Sequence, residues 1–163
     1  MPLFGDRPLT EDNWVDNAEM ADRLPFPLLK TLYSLWADKK AALGHIPSWG
    51  DFSPSEISEI IPSLAVFQHD DDNGRLRIRF IGTRFVDVSG TDNTGLFVDE
   101  LPHSDNIVER ARSVMEGGRP RFFSGRRMTW ADREHKIYCT LCVPLQNKDT
   151  QKVDHLAYVA EFS

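Results

Sequence analysis

A short strand followed by broken, half-apolar segments is the feature of this sequence that most restricts its fold. Residues 75–81 alternate arginine with Leu76, Ile78 and Phe80, which predicts a strand with one apolar face and one cationic face. Glycines interrupt the chain after this strand and twice more before residue 101. The segments between those glycines are too short to pack as ordinary helices, but they can wall a small cavity beside a sheet.

The rest of the sequence predicts helices before this region and strands after it. A helix is predicted from Pro27 to Gly44, a short one behind the Ser53–Glu56 capping box, and a longer one from Ser104. Strands are predicted near 63–68, 121–130, 135–145 and 153–162. Because the loops between consecutive strands are short, the strands pair antiparallel. The fold class is therefore α+β, with one five-stranded antiparallel sheet.

The length of 163 residues suits a single domain with a sizeable core. Residues 1–24 are acidic with few apolar groups, which predicts a flexible arm ahead of a domain at 25–163. An alternative is that Trp14, Met20 and Leu24 dock on a partner subunit.

Composition excludes several classes of function. The formal net charge of -6 argues against a nucleic-acid partner. No apolar run approaches the ~20 residues of a membrane span, and the N-terminus lacks the pattern of a secretory signal. Cys139 and Cys142 would point to opposite faces of one strand, which argues against a mutual disulfide and for a reducing cytoplasm.

Motifs for catalysis or metal binding do not stand out. The glycines do not form a phosphate-binding loop, and the five histidines have no ligand spacing. The Cys139–Cys142 pair lies within a strand without a second pair, so we interpret both cysteines as small apolar strand residues. The prediction is no metal and no cofactor.

The order of short motifs resembles that of a PAS domain, and most closely the stand-alone PAS family common in alphaproteobacteria. The motifs are Arg79, Gly82 and Thr83, then Gly90, Asp92, Thr94 and Gly95, preceded by Trp36, Ser53, Pro54, Ile61 and Pro62. The resemblance covers roughly residues 28–162. It implies short helices on one sheet face behind an N-terminal helical cap. It also implies that the strand at 63–68 lies at the sheet's centre, between those at 75–81 and 153–162.

The same resemblance allows two known PAS cofactors to be weighed. Flavin photosensors carry a reactive cysteine after the short helices, and no cysteine lies between Phe80 and Arg119. Haem sensors use a histidine on the long helix, whereas His103 precedes that helix.

What the resemblance implies is a cavity between the sheet and the short helices. The residues predicted around it are Phe80, Phe85, Phe97, Leu101, Ile107, Ala111, Tyr138, Thr140, Cys142 and Tyr158. A shift of one residue in register would exchange Tyr138, Thr140 and Cys142 for their strand neighbours. A fully packed core without a ligand is the alternative.

The leading functional hypothesis is a non-enzymatic sensory or regulatory PAS protein. It would bind a small apolar or amphipathic ligand or a protein partner and signal through dimer contacts to a separate signalling protein. The broad apolar surface of the N-terminal helix suggests a homodimer through that helix, or packing on its own domain. The alternatives are a ligand-free scaffold and an isomerase- or dehydratase-like enzyme using Asp87, Asp92, Asp99 or His103.

Overall fold

This computed structural model describes residues 7–131 and 133–163. For residues 133–135 it describes the backbone alone. The helices are α1 Ala18–Ala21, α2 Pro27–Leu43, α3 Pro54–Ile57, α4 Thr83–Ser89 and α5 Asp105–Gly117. The strands are β1 Asn13–Trp14, β2 Leu64–His69, β3 Leu76–Ile81, β4 Arg121–Met128, β5 Arg133–Gln146 and β6 Val153–Phe162. Single turns of 3-10 helix lie at Trp49–Asp51, Ile61–Ser63, Val98–Glu100 and Thr129–Ala131.

All strand pairs are antiparallel, in the order β1-β4-β5-β6-β2-β3. The predicted α+β class is confirmed, and the two-residue β1 makes a sixth strand beside the five expected. The predicted neighbours of β2, namely β3 and β6, are also confirmed. The prediction that β2 lies at the centre of the sheet is wrong. Among the five long strands the order is β4-β5-β6-β2-β3, so β6 is the central strand.

Two apolar cores cover the two faces of this sheet. On the outer face, α2 and the 3-10 turn before α3 pack over β2, β5 and β6. On the inner face, α4 and α5 pack over β3, β4 and the other side of the same strands. The predicted capping box forms at the start of α3, where the Ser53 hydroxyl accepts from the Glu56 N–H and the Glu56 carboxylate accepts from the Ser53 N–H.

Strand β3 contains a bulge, so its side chains do not alternate between the two faces as predicted. Val66 pairs with Phe80 but its neighbour Phe67 pairs with Ile78, so Arg79 is an extra residue in the ladder. Ile78 and Ile81 therefore face the inner core, whereas Phe80 packs on the outer one.

Helix α2 buries its apolar stripe against the sheet of its own chain. Pro27 occupies the first turn, and Gly44 ends the helix in the left-handed conformation at φ 80°. Leu29, Leu32 and Trp36 are buried in the outer core. Most of the surface that suggested a dimer helix is therefore covered within the subunit.

The N-terminal arm packs along the domain from residue 7 onward. Val15 is fully buried, and its N–H donates to the Pro120 carbonyl at 2.9 Å. The Asp12 carboxylate pairs with Arg126 and also accepts from the Ser124 N–H at 2.9 Å. These contacts join the described part of the arm, predicted from the sequence to be flexible over 1–24, to Pro120 and β4. Residues 1–6 lie outside the described residues.

Across residues 7–131 and 133–163, no helix has the length and apolarity needed to cross a bilayer. The described side chains, those of residues 7–131 and 136–163, include no cluster of three or more histidine, cysteine or carboxylate groups able to bind a metal ion. Cys139 and Cys142 are both free, and they lie on opposite faces of β5 as predicted.

Candidate ligand-binding cavity

A cavity of about 60 Å³ lies between the inner face of the sheet and helices α4 and α5. It has room for roughly four to six water-sized groups, since a single water needs ~10–15 Å³ on the same measure. Its apolar wall is formed by Ala65, Phe67, Ile78, Ile81, Phe85, Leu101 and Ile107. Such a space suits a small molecule with an apolar body.

Six side chains with polar atoms complete the wall: Asn93, Arg110, Trp130, Tyr138, Thr140 and Tyr158. The Trp130 indole N–H donates to the Tyr138 hydroxyl at 3.2 Å, which gives both groups a partner. Tyr138 and Thr140 project from the same face of β5, two residues apart, because side chains alternate along a strand. The polar groups therefore converge on the cavity from β5, β6, α5 and the loop after α4.

Tyr158 has the most unusual environment of these groups. Its hydroxyl is buried and meets no hydrogen-bond partner, although the Cys142 thiol lies beside it. Its ring packs on Phe67, with centroids 4.9 Å apart. Burial raises the pKa of Tyr158 well above its usual value, Cys142 adds to that rise, and the positive charge of Arg110 opposes it. The hydroxyl therefore stays protonated and can donate to a ligand.

Arg110 brings the single charge in the described part of the cavity wall. It lies on α5 three residues after Ile107, so both side chains leave the same face of the helix. Its guanidinium stands over the Phe123 ring, 5.7 Å from the centroid. Within the described residues, no carboxylate lies within 4 Å of it in an ion pair, unlike Arg75 with Asp99. The cavity thus has an apolar body and one cationic edge.

The structure brings six of the ten predicted cavity residues to the wall: Phe85, Leu101, Ile107, Tyr138, Thr140 and Tyr158. The register chosen for β5 agrees with this placement, because Tyr138, Thr140 and Cys142 share the inner face.

Four predicted residues lie elsewhere. The bulge turns Phe80 to the outer core, and Phe97 is held outside between the guanidiniums of Arg75 and Arg77, 3.8 Å and 4.2 Å from its centroid. Ala111 and Cys142 are fully buried in the inner core behind the wall. For Cys142 this burial raises the thiol pKa strongly, so the thiol is unreactive in the folded state.

Seven residues of the wall were not predicted: Ala65, Phe67, Ile78, Ile81, Asn93, Arg110 and Trp130. The alternation of β2 could have indicated Ala65 and Phe67, and Arg110 could have been found from its helical spacing to Ile107. Ile81 required knowledge of the bulge, which no local signal in the sequence marks.

The residues considered for catalysis do not reach the cavity. Asp87, Asp92, Asp99 and His103 are all exposed. The Asp99 carboxylate is instead paired with Arg75 at 2.9 Å, and Asp92 accepts from the Thr94 hydroxyl. The described residues of the cavity wall include neither a carboxylate nor a histidine.

An antiparallel sheet that forms a cavity with short helices places this chain in a class of small α+β domains, and a comparison with family models shows which family it is. The chain belongs to the PAS domain family, whose model matches residues 26–156. PAS domains are generally sensory or regulatory and non-enzymatic. A search of curated protein sequences gave no significant match.

Solved structures similar to this chain are also PAS or light-oxygen-voltage domains. The PAS domain of histidine kinase ThkA is 19% identical, with 61% of this chain and 96% of that chain covered and a TM-score of 0.48. The Drosophila melanogaster Cycle PAS-B domain with bound ethylene glycol is 15% identical, with coverage of 61% and 98% and a TM-score of 0.49. The light-state Aureochrome1 domain is 12% identical, with coverage of 66% and 85% and a TM-score of 0.45.

Proposed function

We propose that this chain is a non-enzymatic PAS sensor or regulator that binds a small apolar or amphipathic ligand in the inner cavity. The observation that carries the proposal is an apolar cavity with Tyr158 in its wall, whose buried hydroxyl has only the Cys142 thiol beside it. An empty space and a buried hydroxyl without a strong partner are each unfavourable in a protein core. A core that only served to stabilise the fold would contain neither. Ligand binding would account for both.

Occupancy would be communicated through helix α5. This helix contributes Ile107 and Arg110 to the wall, and its Ser113 hydroxyl accepts from the Arg121 guanidinium at 2.9 Å. Arg121 also lies under the Trp14 ring of the N-terminal arm, 4.9 Å from the centroid. A displacement of α5 would therefore reach both β4 and the arm.

Output would pass to a separate signalling protein, with the chain acting as a homodimer. The support for a dimer is the part of α2 that the sheet leaves uncovered: Leu28 and Leu35 are half-buried, and Leu43 is 39% exposed. A cytoplasmic setting accords with two free cysteines.

The test of ligand binding is native mass spectrometry of the full chain, followed by xenon titration monitored by NMR. We expect either a retained small molecule that is released on unfolding, or xenon-induced shifts at Phe67 and Tyr158. Ile107→Trp, which places a larger side chain in the wall, should abolish both signals. Leu43→Trp adds the same side chain on an exposed surface and should change neither. Absence of both signals in the wild type would contradict the proposal.

A further inference from the structure

Two side chains of the cavity wall carry strong hydrogen-bond donors with at most weak partners among the described residues. The first is the Tyr158 hydroxyl, whose oxygen is buried and has only the Cys142 thiol, a weak hydrogen-bonding group, beside it. A buried polar group without a strong partner is unfavourable, because it gives up its hydrogen bonds to water on folding. Replacing this tyrosine with phenylalanine would avoid that cost, so the hydroxyl indicates a partner that enters from outside.

The second group is the Arg110 guanidinium. Four arginines of the described chain are paired with carboxylates, among them Arg119 with Asp16 and Arg84 with Glu161, and Arg112 bonds the Gly74 carbonyl. Arg110 stands over the Phe123 ring and belongs to the cavity wall, and none of the described carboxylates pairs with it. Its charge also acts on the Tyr158 hydroxyl, which places the two groups within electrostatic reach of each other.

The cavity wall fits ligands of other charge less well than a carboxylate. A cationic ligand would be repelled by Arg110, and a neutral one would leave its guanidinium without a counter-charge in the cavity. A phosphate dianion needs more cationic donors than one guanidinium supplies. A carboxylate matches the guanidinium in geometry and charge, since the two form paired N–H···O bonds.

We propose that the cavity binds a small monocarboxylate with an apolar body, an inference that rests on the ligand-binding function proposed above. The carboxylate accepts hydrogen bonds from the Arg110 guanidinium and the Tyr158 hydroxyl. The apolar body lies among Phe67, Phe85 and Ile107. The volume of about 60 Å³ limits that body to a short aliphatic chain or a single ring.

The experiment compares acids with their neutral amides, which have nearly the same shape. Isothermal titration of the full chain at neutral pH would use benzoate against benzamide and butyrate against butyramide. We expect at least one acid to bind about tenfold or more tightly than its amide, in the range of one charge-assisted contact. Equal binding of acid and amide by the wild type would overturn the inference, as would failure of both acids to bind at about 10 mM.

Variants then assign the preference to the two groups. Arg110→Gln should reduce acid binding to the level of the amide. Arg112→Gln removes the same charge from an exposed position on the same helix, where the side chain bonds the Gly74 carbonyl, and should keep the preference. Tyr158→Phe should keep the fold and weaken acid binding by roughly threefold to tenfold, as expected for one lost hydrogen bond. Retention of the acid preference in Arg110→Gln would contradict the assignment.

The outcomes separate this inference from the proposed function. If xenon or a retained neutral molecule occupies the cavity while acids show no preference over amides, the carboxylate inference fails and the sensor proposal stands. If nothing occupies the cavity under any of these conditions, both fail.

Discussion

The indole N–H of Trp36 donates to the carbonyl oxygen of Pro144 at 2.7 Å, across 108 residues of sequence. Beyond Cys142, strand β5 has no partner in β4, so its backbone groups on that side need other partners. Trp36 satisfies one of them, and the Pro47 carbonyl accepts from the Gln146 N–H at 2.9 Å. Helix α2 therefore supplies a hydrogen bond to the end of β5 that β4 leaves unpaired, in addition to covering the outer core.

Trp36→Phe should destabilise the domain by about 1–3 kcal/mol, because it leaves the buried carbonyl unpaired and removes ring volume. Urea unfolding followed by circular dichroism would measure this loss. Trp49→Phe makes the same change at a half-buried tryptophan that has no hydrogen bond from its indole in the described structure, and it should cost less. A smaller effect at Trp36 than at Trp49 would contradict the role given to this bond.

Two glycines are constrained for different reasons. A Cβ at Gly82 would lie 2.2 Å from the Ile61 carbonyl oxygen, and backbone cannot move aside cheaply. Gly95 has open space around it but a φ of +94°, which is unfavourable for a β-branched residue. We expect Gly95→Val to cost about 1–3 kcal/mol, and Gly82→Ala to cost at least as much in spite of its smaller side chain.

Thermal unfolding of both variants checks this expectation. Gly95→Asn is the matched control, because asparagine tolerates the left-handed region better than valine and should recover part of the loss. An unchanged melting temperature in Gly95→Val would count against the turn assignment.

Much of the fold could be predicted from the sequence because its signals are local. The Ser53–Glu56 capping box and the left-handed glycines at 44 and 118 are set by neighbouring residues. The sixth strand could not be predicted, because β1 is two residues long and is defined only by its pairing with β4. The packing of Val15 and Asp12 depends on the same long-range contact.

The cavity was harder to predict than the fold. Alternation along β5 was sufficient to select Tyr138 and Thr140, because that strand is regular at this point. The bulge at Arg79 arises from the β2–β3 pairing, so sequence alone placed Phe80 on the wrong face. Phe97 looked like a core aromatic, but it is held outside the cavity by Arg75 and Arg77.

We expect stability in acid to depend on Asp51, which lies in the 3-10 turn after α2. Its carboxylate accepts from the Ser48 N–H at 2.8 Å and pairs with Lys148 at 3.2 Å. The Ser48 N–H, with Lys148 adding to it, lowers the pKa of Asp51. A folded-state pKa below the unfolded value of about 3.9 gives stability that is present above that value and lost as pH falls through the folded pKa.

Asp51→Asn should therefore lower the melting temperature at pH 7 by about 2–4 °C, with the difference from wild type shrinking below about pH 3. Scanning calorimetry across this pH range is the measurement. Asp149→Asn changes an exposed aspartate beside the same lysine in sequence and should have little effect at any pH. A difference that persists unchanged into acid would exclude the titration of Asp51 as its cause.

The N-terminal arm should be released by a substitution on α5. Trp14 lies against Gly117, where an added Cβ would stand 2.6 Å from the indole ring. Gly117→Val should therefore displace Trp14, with a red-shifted emission and faster hydrogen exchange at the Val15 amide. Gly50→Val introduces the same side chain where a Cβ would contact only the end of Lys148, and should leave the arm protected. Fast exchange at Val15 in the wild type would instead support the flexible arm predicted from sequence.

The last prediction concerns the proposed homodimer through α2. Leu28 and Leu35 are only half-buried, and Leu43 at the end of the helix is 39% exposed, so a partner subunit could cover this strip. Sedimentation equilibrium at tens of micromolar should give a dimer for the wild type, a concentration range in which weak regulatory dimers form. Leu43→Asp should shift the mass toward monomer without unfolding, and Ala42→Asp, one position away on the exposed surface, should shift it less. Deleting the helix is unsuitable as a test, because Leu29, Leu32 and Trp36 belong to the core of the subunit. A monomeric wild type at these concentrations would show that the helix serves its own domain alone.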